Sequence, residues 1–148
     1  MPKFSFRLQG YLDLKSKMED QRKQEFGQAM SVLERERGKL AALESQRTDT
    51  LSSFRKHVSG GVYPQRISSY NNFLTWLKDS INKQTNRVKQ AEAEAERRRA
   101  ALAEAMKERK MLETLKDKHY ADFIYEQNSA EQKAADEIVS FRHASKGN

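Results

Sequence analysis

Apolar residues recur every three to four positions along nearly the whole chain. On the first half the steps run Phe26, Met30, Leu33, Arg37, Leu40, Glu44, Arg47, Leu51, Phe54 and Val58. On the second they run Ile67, Tyr70, Leu74, Leu77, Ile81, Gln84, Val88, Ala91, Ala95, Arg98, Leu102, Ala105, Arg109 and Leu112. A stripe sustained over this many heptads predicts helices that bury one narrow seam against another helix. One strong break interrupts it. Ser59-Gly60-Gly61-Val62-Tyr63-Pro64 joins a helix-stopping glycine pair to a proline suited to a first helical turn. The pattern predicts helix one over about 4–58, a turn at 59–63, helix two over about 64–141 and a frayed tail at 142–148. At about 1.5 Å per residue the helices would measure roughly 80 and 115 Å. A short turn makes neighbouring helices antiparallel. The expected fold is therefore all-α, a single two-helix antiparallel coiled coil with a protruding C-terminal helix.

The quality of the seam varies. Arg37, Glu44, Arg47, Arg98 and Arg109 occupy core-type steps, and Ala91 and Ala95 fill others with little volume. Gly10, Gly27 and Gly38 each cost a helix about 1 kcal/mol relative to Ala. The large residues cluster near the turn, which predicts a firm turn region and a loose middle. If Val58 faces Ile67, then Phe4 faces about Ala121. Helix two then outruns helix one, carrying Phe123, Ile124, Tyr125, Ala130, Ala134, Ile138, Val139 and Phe141 without a partner. An apolar face of that kind calls for one. Phe4, Phe6, Leu8, Tyr11, Leu12 and Leu14 enrich the same end.

Composition sharpens the picture. Hydrophobic residues make up 36% of the 148 and charged residues 33%, too little apolar material for a multilayer core. The abundant types are helix formers. With no Cys, disulfide and thiolate chemistry are excluded. No apolar run reaches the ~20 residues of a bilayer span, and the first residues lack the apolar stretch of a secretory signal. These features point to a cytoplasmic protein with no direct membrane insertion. A formal charge of +7 favours acidic partners.

Candidate chemistry is sparse. His57, His119 and His143 show no metal-ligand spacing, and His119 falls on the seam. Gly60-Gly61 lacks the remainder of a phosphate loop. Carboxylates sit among basic residues on a solvated helix surface, where no enclosed pocket shifts a pKa. Neither an enzyme nor a cofactor, metal or small-molecule site is expected. Between residues 83 and 118 there are 11 Lys/Arg and 7 Asp/Glu, including Arg97-Arg98-Arg99 and Lys107-Glu108-Arg109-Lys110. This run reads as a solvated face with i,i+4 ion pairs or as a surface for an acidic protein. A nucleic-acid partner is disfavoured by the absence of a recognition motif or stacking platform. Tyr70, Phe73, Trp76 and Leu77 crowd into eight residues. Tyr70 and Leu77 fit the seam, while Phe73 and Trp76 fall beside it, as flank cover or as an interaction hot spot.

The opening Lys3-Phe4-Ser5-Phe6-Arg7-Leu8-Gln9, with Leu12-Asp13-Leu14-Lys15, resembles the start of the FliJ family of the flagellar type III export apparatus. The Gly-Gly turn, Tyr70-Asn71-Asn72-Phe73-Leu74 and Met106-Lys107-Glu108-Arg109-Lys110-Met111-Leu112-Glu113 extend the resemblance along nearly the whole chain. It implies a coiled coil similar to the central stalk of rotary ATPases, located in the cytoplasm and peripheral to the inner membrane at the flagellar base. The implied partners are the flagellar export ATPase ring, whose assembly it would promote, the cytoplasmic linker of the export-gate membrane protein, and empty export chaperones. The pair that the family uses for the export gate corresponds to Phe73 and Leu77. Gln46 and Thr50 depart from the aromatics of that face, as do Ser80 and Gln84 from its pattern further along, which implies either weaker gate binding or the use of Trp76 instead. The alternative is a generic structural coiled coil or a basic nucleic-acid-binding one. The hairpin reading predicts a monomer or weak dimer.

Overall fold

The computed structural model describes residues 2–61 and 63–147. It contains two helices, α1 (Gln9–Ser59) and α2 (Pro64–Lys146), and no strand among the described residues. They pack as an antiparallel coiled-coil hairpin. Contacts divide the chain into two units, Gln21–Ala103 and Met1–Asp20 with Glu104–Asn148.

In the unit Gln21–Ala103, α1 stops where Gly61 takes a φ of 80°, a left-handed conformation that ends helices and suits glycine. The amides of Gly60 and Gly61 close the last turn on the carbonyls of His57 and Val58. Val62, part of the expected turn, lies outside the described residues. Pro64 opens α2, where its missing N–H leaves no helical bond unmade, and the Tyr63 carbonyl accepts from Arg66 and Ile67.

The α2 seam follows the expected steps, with Leu77, Gln84, Val88, Ala91 and Ala95 buried. On α1 the rungs Phe26, Leu33, Leu40 and Phe54 face inward as expected, but the alternate rungs fall one residue earlier, at Ala29, Glu36 and Leu43. Arg37, Glu44 and Arg47 are exposed. Either phase keeps the shared rungs, and this one half-buries Leu43 and sends the charge of Glu44 to water.

Burial follows the expected gradient only in part: Leu77, on the turn side, is the most deeply buried side chain, but the middle of the seam is also closed. Ala29, Leu33, Val88, Ala91 and Ala95 form a cluster of buried residues, with Met30 and Leu40 packed on it. Near the turn Leu51, Phe54, Ile67, Tyr70 and Leu74 are only half-buried, and Val58 is 48% exposed. Small side chains let two helices approach closely, and Ala29, Ala91 and Ala95 are buried there beside Leu33 and Val88. Alanine here is the close-contact residue.

In the other unit, α1 begins five residues later than the expected start at Phe4. Residues 2–6 are not helical, and a turn at Arg7-Leu8 leads into α1 through a bond from the Gln9 amide to the Phe6 carbonyl. The alternation Lys3-Phe4-Ser5-Phe6-Arg7 suits such an arm, since every second side chain of a non-helical segment turns to the same side. Phe6 is buried. At the far end α2 runs to Lys146, past the expected limit near Phe141. Nothing in 142–146 breaks a helix, and His143 and Lys146 suit its C-terminal dipole. The last residue of the expected frayed tail, Asn148, is outside the described residues.

Candidate interaction surfaces

Three surfaces emerge from how this hairpin satisfies its polar and aromatic side chains. The first is internal. Gln84, buried in the α2 seam, donates to the Glu36 carbonyl oxygen at 2.9 Å and to its carboxylate at 2.5 Å. Arg98 donates to Glu25 across the seam at 3.2 Å and to Glu94 on its own helix at 2.8 Å. In the other unit Arg109 bonds the buried Glu19 and also Glu113, while Lys15 pairs with Glu108 at 2.8 Å. Each polar rung of α2 thus meets a polar partner on α1, and no buried side-chain polar atom is left unbonded among the described residues. Such rungs resist a slip of one helix along the other. The Gln84 bond, followed by Lys39, holds the Glu36 carboxyl below the usual range. Glu25 is held low by the hydrogen bond from Arg22 and then by the charges of Arg22 and Arg98. Hydrogen bonding to Glu108 raises Lys15.

The second surface lies in the unit Gln21–Ala103, just after the turn. Phe73 and Trp76 stack at 5.8 Å with ring planes 17° apart. They are 37% and 55% exposed, while Leu77 is fully buried. Leu77 therefore sits in the seam beside the aromatic pair, not on the surface with Phe73. Phe54 and Tyr70 meet edge-on at 5.2 Å, and His57 Nδ1 lies 3.3 Å from the Tyr70 hydroxyl. An open groove of about 450 Å³ lined by His57, Arg66, Ser69, Tyr70 and Phe73 runs alongside. Paired exposed rings next to an apolar groove are a common form of protein-binding hot spot. Gln46 is exposed and Thr50, whose hydroxyl bonds the Gln46 carbonyl, is half-buried; neither adds an aromatic to this face.

The third surface belongs to the other unit. Phe4 of the arm packs edge-on against Tyr120 at 5.2 Å and lies 5.6 Å from Phe123, bracketing the expected Ala121. Phe6 meets the ring of His119 at 5.6 Å, so this histidine flanks the arm; it is exposed, not buried in the seam. Period-two alternation in 3–7 was the signal for this arm. Beyond Phe123 the side chains of α2 are exposed apart from half-buried Gln127 and Ser129, leaving Ile124, Tyr125, Ile138, Val139 and Phe141 uncovered.

The described residues contain no group of three or more His, Cys, Asp or Glu placed to hold a metal, and no helix long and apolar enough to cross a membrane.

Comparisons with known proteins agree with this architecture. The chain is similar to a YscO homologue, CT670, from Chlamydia trachomatis, with a TM-score of 0.67 over 95% of this chain and 96% of that one. At 22% identity that likeness speaks to the fold. The flagellar FliJ protein of Bacillus subtilis strain 168 is 27% identical over 135 residues, covering 91% of this chain and 92% of that protein. The family model described as flagellar FliJ protein matches residues 4–148, and the chain accordingly belongs to the flagellar FliJ protein family.

Proposed function

We propose that this protein, a flagellar export component by its family, works as a non-enzymatic, stalk-like coiled coil that joins the export ATPase to the export gate. The arm, with Phe4 seated on Phe123, and the uncovered part of α2 beyond it, including Phe141, engage the ATPase ring and promote its assembly and activity. The aromatic face at Phe73, seated beside Leu77 and extended by Trp76, engages the cytoplasmic linker of the export-gate membrane protein. The same chain escorts empty export chaperones and works at the cytoplasmic side of the inner membrane, at the flagellar base.

The observation that carries this reading is the stacked, exposed Phe73–Trp76 pair. A side chain like Trp76 gains little by stacking in water and much by burial against a partner. Leu77 contributes by holding the backbone that presents the rings. Titration of the gate linker separates these roles: Phe73→Ala and Trp76→Ala should weaken gate binding at least tenfold while sparing ATPase stimulation. Equal loss of both activities in these variants would overturn the assignment of separate surfaces.

A further inference from the structure

We propose that the α2 face formed by Lys107, Lys110, Met111, Thr114, Leu115 and Lys118 is a docking site for an acidic amphipathic helix of a partner protein. The face uses neither the aromatic pair nor the N-terminal arm, so it stands apart from the surfaces assigned above. These six side chains line a shallow groove of about 440 Å³. Its floor is apolar: Met111 is 68% exposed and Leu115 is half-buried. Their spacing of four residues places them one above the other on α2, with lysines along the same stripe.

The lysines of this face are unpaired. Lys107, Lys110 and Lys118 form no ion pair among the described residues, although Glu104, Glu113 and Asp122 lie three or four positions away on the same helix. Two of the nearby carboxylates are engaged elsewhere. Glu108 pairs with Lys15 of α1 and Glu113 with Arg109, which also holds Glu19. Glu108 is thus taken up by α1 and Glu113 by Arg109 of α2 itself, which leaves three unpaired lysines around an exposed methionine.

This chemistry selects its occupant. A helix with apolar residues at i and i+4 would cover Met111 and Leu115, and Asp or Glu on its flanks would meet the three lysines. The thioether of Met111 adapts to varied apolar shapes. A nucleic-acid backbone would satisfy the lysines and leave Met111 and Leu115 against phosphate. Two apolar residues are also too few to anchor the chain in a lipid surface.

The test is fluorescence titration of the full-length protein with a labelled 18-residue helical peptide carrying Leu at i, i+4 and i+8 flanked by Glu. The expected result is salt-sensitive binding that falls at least tenfold in Met111→Glu and in the double variant Lys107→Glu/Lys110→Glu, with helicity unchanged by circular dichroism. Met111→Ala provides a milder variant and should weaken binding by a smaller factor. Peptide affinity untouched by Met111→Glu would overturn the proposal. So would failure of the peptide to bind while a DNA duplex or a phosphatidylglycerol vesicle binds through these lysines.

Discussion

Gln84 of α2 reaches across the seam and donates twice to Glu36 of α1, once to its backbone carbonyl and once to its carboxylate. A buried amide can satisfy both hydrogens this way in only one register, so the pair aligns the hairpin in the unit Gln21–Ala103. Replacing Gln84 with Ala leaves the Glu36 groups without these donors and should destabilise the fold by about 1–3 kcal/mol. Urea denaturation measures this. Combining Gln84→Ala with Glu36→Ala should be clearly less damaging than the sum of the single effects. Strict additivity would show that the pair does not act as a unit.

Acid should weaken the hairpin. The carboxyls of Glu36 and Glu25 lie below their ordinary value of 4.5 in the folded chain, chiefly through the bonds from Gln84 and Arg22. The unfolded chain therefore takes up protons first as pH falls. The stabilisation is complete above the ordinary carboxylate value and is lost as pH drops through the depressed folded values. Urea midpoints should hold steady down to about pH 5 and fall by about pH 3. The Glu36→Gln variant should show a shallower decline. A midpoint that rises on acidification would contradict this linkage.

The glycines separate two backbone environments. An added methyl group at Gly38 meets open space, and the residue lies inside α1 with an ordinary helical conformation. Gly38→Ala should stabilise the protein by roughly 0.5–1 kcal/mol. Gly61, at a φ of 80°, should respond in the opposite sense, with Ala costing about 1–2 kcal/mol. Thermal denaturation of the two variants should show midpoints shifted in opposite directions.

Neighbours on one turn of α2 should behave differently. Leu77 is fully buried and Trp76 is 55% exposed. Leu77→Ala should destabilise the fold by about 2–5 kcal/mol through lost packing and the space left behind, whereas Trp76→Ala should change stability by less than about 1 kcal/mol. Denaturation midpoints of the two variants check this, and similar losses would mean that Trp76 is not a surface residue.

These contrasts show how far the sequence carries. The α2 seam was legible from Ile67 to Leu112 because its steps follow one heptad phase without a competing choice. Two phases fit α1, since 29 or 30, 36 or 37, and 43 or 44 lie one residue apart on adjoining stripes. Leu43 and the Gln84–Glu36 bond decide between them, and the latter exists only once the helices are paired. Burial could not be read from side-chain size, because Ala91 and Ala95 acquire their value from the approach of Leu33 and Ala29. The exposure of Phe73 and Trp76 followed from their place beside the seam. The same reasoning put Leu77 inside it, a placement the resemblance to the gate-binding pair did not anticipate. The period-two alternation at 3–7 is too short to outweigh the helical pattern that follows. The packing of Phe4 on Tyr120 and Phe123 gives it meaning.

The central claim is that this chain serves the export ATPase as an assembling stalk. Its most direct test is hydrolysis by the purified flagellar export ATPase with and without this protein, with the oligomeric state of the ATPase followed in the same samples. Faster hydrolysis together with ring formation is expected, both lost when residues 124–148 are removed or Phe4 and Phe6 are replaced by Ala. An active ATPase that neither binds this protein nor changes its rate or assembly would contradict the account.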